Sequence, residues 1–201
     1  MGRSEALQKF LDGAFLAFDR FAVDIRSRKS LTQLFAQLNV PGVERTTPGS
    51  RLAVCERFLA PAMDLTPNEP TLQALISLFK ALEPKLEWKW RATYDNTASQ
   101  NFLMSHANVM IVGPGALEDR QDAWIGATLM APNVRYPDHS HAPEETYLVI
   151  SEGEFRQADG DWFALSAGGS FFNPPNIKHA MRSAQKPLFA FWALLPEQRV
   201  H

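Results

Sequence analysis

The sequence predicts an all-β barrel preceded by an N-terminal α-helical region, and three observations carry that expectation. Up to about residue 86, apolar residues recur at steps of three, four and seven, the period of one helix face. Beyond about residue 100 the apolar runs shorten, turn β-branched or aromatic, and are separated by Gly, Pro, Asn and Asp. Turn signals there recur about every 8–12 residues, the spacing of strands in a sandwich or barrel. The reading divides the chain into a helical region over 1–95 and a barrel domain over 96–201.

Leu7, Phe10, Leu11, Phe18, Phe21 and Ile25 line one face of a first helix, which Ser4 is placed to cap. Ser30 is the expected cap of a shorter helix through Leu31, Leu34, Phe35 and Leu38, ended by "VPG" at 40–42. Leu52, Val54, Cys55, Phe58 and Leu59 suggest a third helix, closed near Pro61. "TPNE" at 66–69 reads as a capping box with proline at the first helical position. The helix it opens carries Leu72, Leu75, Ile76, Phe79 and Leu82 and stops at Pro84. The strands follow as "NVMIVG", "AWIGATLMA", "TYLVIS", "GSFFNP" and "LFAFWALL". "QADGDW" at 157–162 is a hairpin turn with Asp159-Gly160 at its tip. The helices are expected to cover a barrel face or an open strand edge.

Composition removes several function classes. With 45% apolar and 21% charged residues the 201-residue chain can bury an ordinary core. A net charge of −2 with scattered basic residues offers nothing to nucleic acid or to an anionic membrane. Cys55 is the single cysteine, which excludes an intrachain disulfide and a cysteine-based zinc knuckle. No apolar run approaches the roughly 18 residues of a spanning helix. Charges at Glu5, Lys9 and Asp12 stand where a secretory signal needs apolar residues, so a cytoplasmic protein is expected.

Chemistry gathers at 139–179. Alternate side chains of an extended segment share a face, so His139 and His141 point one way, as do Glu145, Tyr147 and Val149 after them. Imidazole and carboxylate together suit Zn, Fe, Mn, Co or Ni, one divalent transition metal. His179, in "GGSFFNPPNIKHAM", is the candidate for a third imidazole. His106 lies outside this group and reads as structural or exposed, and the terminal His201 as irrelevant to it. Alternation turns Glu144 away from Glu145.

These residues resemble the two motifs of the cupin superfamily. The first stands as His139, His141, Glu145 and Gly153, with the glycine one residue late. The second stands as Gly168, Pro174, Asn176 and His179, where asparagine replaces a glycine; asparagine also tolerates positive φ. The resemblance implies a cupin barrel, a double-stranded β-helix or jelly roll that binds metal. Fold alone selects no reaction. "Glu-x-Tyr" after "His-x-His", the "VRYPDHSH" that precedes it, and Trp124 and Trp192 on flanking strands are similar to the cupin-type dimethylsulfoniopropionate lyases, which also carry a helical N-terminal region. That resemblance implies a metal held by His141, Glu145 and His179. It implies Tyr147 as base and Tyr136 in the substrate pocket. His139 matches the remaining cupin histidine, as a ligand or as a pocket residue.

The reaction so implied is β-elimination of a small sulfonium carboxylate to acrylate and dimethyl sulfide. Metal proximity would lower a phenol from its usual pKa of about 10 toward neutrality, making Tyr147 a usable base. Trp124, Tyr136 and Trp192 offer aromatic faces to the sulfonium, worth roughly 0.5–2 kcal/mol each, although tryptophans in a small barrel serve equally as core. Two alternatives stand beside it: a cupin dioxygenase or isomerase acting on another small carboxylate, and a zinc-binding regulatory cupin. The second is weakened because residues 1–100 hold Cys55 but no histidine to build an accompanying zinc module.

Overall fold

A computed structural model of the chain describes residues 2–197. Four helices come first: α1 Glu5–Phe21, α2 Ile25–Gln37, α3 Ala53–Asp64 and α4 Pro70–Leu82, the last running into a 3-10 turn, Glu83–Lys85. Ser4 caps α1, accepting from the Leu7 amide at 3.4 Å. Four boundaries differ from the sequence reading. Ile25 does not extend the face of α1; the chain turns over Ala22–Asp24 and Ile25 opens α2, 76% exposed. Asp24 rather than Ser30 caps α2, taking the Arg26 amide at 2.8 Å, and Ser30 lies buried inside the helix. Pro61 does not close α3, which runs on to Asp64 and loses only the backbone bond that the proline nitrogen cannot give. Glu69 rather than Thr66 caps α4, accepting from the Leu72 amide at 2.8 Å, so Pro70 takes the first turn. Asp24 and Glu69 both sit in extended backbone one residue before the helix and accept from an amide of its first turn, a position that hydrophobic periodicity does not encode.

Two short strands, β1 Val43–Glu44 and β2 Trp88–Lys89, come from this half. The other nine described strands are β3 His106–Gly113, β4 Glu118–Asp119, β5 Trp124–Met130, β6 Glu144–Val149, β7 Gly153–Gln157, β8 Phe163–Leu165, β9 Ser170–Asn173, β10 His179–Arg182 and β11 Leu188–Leu195. The larger sheet runs β1-β4-β3-β5-β11-β6-β9 with β2 added beside β3, and the smaller runs β10-β7-β8. Every pairing is antiparallel except β3 with β4. The expected hairpin joins β7 to β8, with Ala158 at φ 49° in its turn. This is a cupin barrel carrying an N-terminal helical region.

β11 explains why "LFAFWALL" is apolar without alternation: both its faces are buried. Phe189 and Phe191 point outward and meet the helices, with Phe79 at ring distances of 5.4 and 5.2 Å and Phe10 at 5.8 Å from Phe191. Their neighbours Trp192 and Leu194 point inward. The helices therefore back the larger sheet and do not roof the barrel. None of the described helices is long and apolar enough to cross a membrane.

Register then builds the inner wall, because residues directly opposite share a face. Trp192 stands between Gly126 and Tyr147, and Leu194 between Trp124 and Glu145. The rows continue from Tyr147 to Phe171 and from Glu145 to Asn173 on β9. On the other side Asn108 faces Thr128 and Met110 faces Gly126. A Cβ on Gly126 would fall 2.3 Å from Trp192 Cη2, so only glycine lets the indole lie across β5.

Candidate active site

The segment before β6 and the strand β10 are tied at the two histidines. The His139 amide donates to the His179 carbonyl at 3.0 Å and the His179 amide to the His139 carbonyl at 2.8 Å. The turn before β10 is tied to the same segment: Asn176, at φ 61°, donates its amide to the His141 carbonyl at 2.9 Å. Asparagine thus fills the motif's glycine position in the left-handed conformation. These bonds bring the first and second motifs together.

One ring nitrogen from each of His139, His141 and His179 lies within 4.8 Å of the others, an arrangement that can hold a metal ion. The tautomers follow from the neighbours. Each Nδ1 faces a backbone carbonyl: Pro137 at 2.9 Å for His139, Pro143 at 2.8 Å for His141, and Ile177 at 3.0 Å for His179. A carbonyl only accepts, so Nδ1 carries a proton and each ring turns its Nε2 to the cluster, where a neutral imidazole offers a lone pair. His179 Nε2 is buried without a hydrogen-bond partner among the described residues; it lies 3.3 Å from Glu145 Oε2 but off the hydrogen-bond direction. A buried nitrogen with a free lone pair, beside two others and a carboxylate, fits a first-row cation.

Glu145 closes the cluster. Its Oε2 lies 3.3 Å from His141 Nε2 and accepts from Asn173 Nδ2 at 2.9 Å. Asn173 is itself held, its Oδ1 taking Gln157 Nε2 at 2.7 Å. Burial alone would raise the carboxyl of Glu145, but the neighbouring imidazoles of His141 and His179 hold it well below the usual carboxylate range. Burial also opposes protonation of His141, and there Glu145 outweighs it and raises the imidazole. His139 goes the other way: burial, then the nearby His179, push it down to about 3.

A cavity of about 210 Å³ opens beside the cluster. His139, His141, Glu145, Tyr136 and Tyr147 border it, as do Trp124 and Trp192, while His179 lies behind, 4% exposed. The two tyrosines sit in different electrostatic surroundings. Tyr147 stacks on Phe171 with ring centroids 4.9 Å apart; burial and then the charge of Glu145 push its phenol well above the usual value. Burial raises Tyr136 too, but Arg91 and Asn108 work against it. The Tyr136 hydroxyl oxygen accepts from Asn108 Nδ2 at 2.9 Å. Asn108 is oriented by Thr128, whose Oγ1 donates to Asn108 Oδ1 at 2.7 Å and accepts from Trp192 Nε1 at 3.1 Å. The chain of bonds from Trp192 to Tyr136 leaves the phenol oxygen facing a donor, with its own proton free to point into the cavity.

Arg91, Asn108, Thr128, Asn173 and Gln157 escaped the sequence reading. Inward alternation along "HANVMIVG" and "SFFNP" marks Asn108 and Asn173 as polar residues in apolar strands; Arg91 sits in an irregular segment and carries no such signal. His106 lies outside the cluster, fully buried. Glu144 is half-buried where Glu145 is buried, in keeping with alternation. His201 lies outside the described residues.

A family model for dimethylsulfoniopropionate (DMSP) lyases matches residues 26–190. Over 106 residues, 51% of this chain, the sequence is 28% identical to dimethylsulfoniopropionate lyase DddQ of Ruegeria pomeroyi. The chain spans about half, 52%, of that curated relative's length. Among solved structures, one chain from the crystal structures of the DMSP lyases RdDddP and RnDddQII is similar with a TM-score of 0.69 at 23% identity, covering 98% of this chain and 95% of that one. DMSP lyase DddQ from Ruegeria pomeroyi DSS-3 gives 0.60 at 20% identity, covering 92% and 94%. At those identities the likeness speaks for the fold. The family match covers most of the chain, and the chain belongs to the DMSP lyase family.

Proposed function

On the premise of that membership, we propose that the protein is a metal-dependent carbon–sulfur lyase that cleaves dimethylsulfoniopropionate to acrylate, dimethyl sulfide and a proton. The observation that carries the reading is a cluster of three imidazoles and a carboxylate at the wall of one cavity that two tyrosines and two indoles also line. His139, His141, Glu145 and His179 would hold the metal, a donor set suited to Zn, Fe, Mn, Co or Ni. A bound divalent cation supplies Lewis acidity toward a substrate carboxylate, acidifying the adjacent C–H.

The chain's own groups account for the remaining needs. A base removes the proton from the carbon beside the carboxylate, the released electron pair forms the carbon–carbon double bond, and the carbon–sulfur bond breaks to neutral dimethyl sulfide. The leaving group carries no negative charge and needs no acid. Trp124 and Trp192 give the sulfonium aromatic faces in an apolar setting.

Two tyrosines compete for the role of base. Tyr147, two residues after Glu145, is the one the motif points to. A second reading assigns the base to Tyr136, and a specific observation favours it: its oxygen accepts from Asn108 and stands near the cation of Arg91, both of which stabilise a phenolate, whereas Tyr147 faces the carboxylate of Glu145. The test is gas-phase detection of dimethyl sulfide from DMSP with the wild type, Tyr147→Phe and Tyr136→Phe, each loaded with the same metal. The base variant is expected to lose at least about 100-fold in kcat, the low end of general-base catalysis. No sulfide from wild-type protein with any of the five metals would overturn the lyase reading.

A further inference from the structure

Arg91 is the one cationic side chain bordering the cavity, and no carboxylate lies within ion-pair reach of it among the described residues. Its Nε donates to the Thr93 carbonyl at 2.9 Å, and its guanidinium carbon lies 5.7 Å from the centroid of the Tyr136 ring. The other arginines of the barrel's near side are spoken for. Arg135 and Arg156 share Asp138, at 2.8 and 2.6 Å, and Arg182 pairs with Glu154 at 2.8 Å. Glu145, the carboxylate of the cavity, is already engaged by His141 and Asn173.

The backbone of Arg91 is fixed from within the core. Its amide donates to His106 Nε2 at 2.8 Å, and His106 Nδ1 faces the Phe102 carbonyl at 2.6 Å, so this ring too is the Nδ1–H tautomer. His106 is fully buried and stacked on Phe102, ring centroids 3.8 Å apart and 7° from parallel. A solvated surface arginine needs no such mounting. A half-buried guanidinium held at a cavity wall without a counter-ion is costly until an anion arrives, and its planar fork suits a carboxylate in two-point contact.

We propose that Arg91 anchors the carboxylate of the substrate and thereby selects for carboxylate-bearing ligands. The proposal rests on the reading of this cavity as the substrate site. It gives the substrate carboxylate a contact at Arg91 beside Tyr136, in addition to the metal that would polarise it, and leaves the cationic sulfur to the indoles of Trp124 and Trp192.

The test is calorimetric titration of the wild type, Arg91→Gln and Arg91→Lys with three probes: DMSP, 3-(methylthio)propionate, which keeps the carboxylate without the cation, and trimethylsulfonium, which keeps the cation without the carboxylate. Arg91→Gln is expected to weaken both carboxylate probes by about tenfold or more, the scale of one charge-assisted contact, and to leave trimethylsulfonium unchanged. Arg91→Lys, with charge but no fork, should fall between. Carboxylate probes that bind Arg91→Gln as tightly as wild type would overturn the assignment, as would equal loss of all three or a wild type that binds neither carboxylate. The two readings fail separately. Arg91-dependent binding of 3-(methylthio)propionate without sulfide release from DMSP would leave the anchor and remove the lyase. Sulfide release by Arg91→Gln at wild-type KM would leave the lyase and remove the anchor.

Discussion

His106 belongs to neither motif, and its position between the Phe102 carbonyl and the Arg91 amide gives it a structural task with a pH signature. Burial pushes its pKa down to about 4, from an ordinary 6.5. The sign follows from comparing the two states. Below 6.5 the unfolded chain binds a proton at this residue while the folded one resists until about 4. Its contribution is therefore full above 6.5 and is lost as pH falls from 6.5 toward 4, at about 1.4 kcal/mol per pH unit. Between pH 7.5 and 5 the wild type should lose about 2 kcal/mol more stability than His106→Gln, although the variant starts lower by about 1–3 kcal/mol for its disturbed hydrogen bonds. Urea unfolding at the two pH values measures this, and parallel losses in both proteins would remove His106 as the source. The sequence allowed a structural role for His106 but left its burial open, because its partners are backbone groups that only the fold brings to the ring. The metal-motif histidines were more legible. A periodicity of two fixes which side chains share a face, and their shared face survives even though the segment of His139 and His141 makes only isolated pairing with β10.

At the scale of elements, what mattered was register. Strand β6 was readable from "TYLVIS", and the inward set Glu145, Tyr147 and Val149 from alternation. That β9 would set Asn173 opposite Glu145 was not readable, since local sequence does not encode which residues of two strands face each other. Yet this pairing orients the carboxylate: Asn173 Nδ2 meets Glu145 Oε2, and Gln157 from β7 fixes the amide the right way round. Asn173→Ala removes a donor from the acid without touching a histidine. Losses of about 10–100-fold in metal affinity are usual for a partner of this kind, and competition against a chelator should find that range, with the far-ultraviolet spectrum unchanged. Affinity equal to wild type would show that Glu145 is held well enough by the imidazoles alone. Helix boundaries were less legible than strands. Asp24 and Glu69 took the caps expected of Ser30 and Thr66: each stands in extended backbone just before its helix and accepts from a first-turn amide, and apolar spacing does not locate that residue.

The whole molecule is organised around one strand read from two sides. Residues of β11 alternate between the cavity, where Trp192 lies between Gly126 and Tyr147, and the helical layer, where Phe189 and Phe191 meet Phe79 and Phe10. The sequence announced both halves by their periods, but not the ties that join them, such as Arg3 of the N-terminus bonded to the fully buried Glu118 of β4 at 2.5 and 2.8 Å. Phe79 tests how the layers share their work, because it touches Phe10, Trp88 and both phenylalanines of β11 and lies on the far side of that strand from the cavity. Phe79→Ala removes a fully buried ring and should cost about 3–5 kcal/mol. In a chain of this size that lowers Tm by roughly 6–20 °C, which calorimetry reads directly. Ligand binding per folded molecule, measured well below the new Tm, should stay near wild type, since the inward row is borne by the alternate residues of β11. Weaker binding by fully folded Phe79→Ala would mean that packing behind the sheet also sets the position of Trp192. The helical layer would then shape the cavity through β11, which carries both contacts.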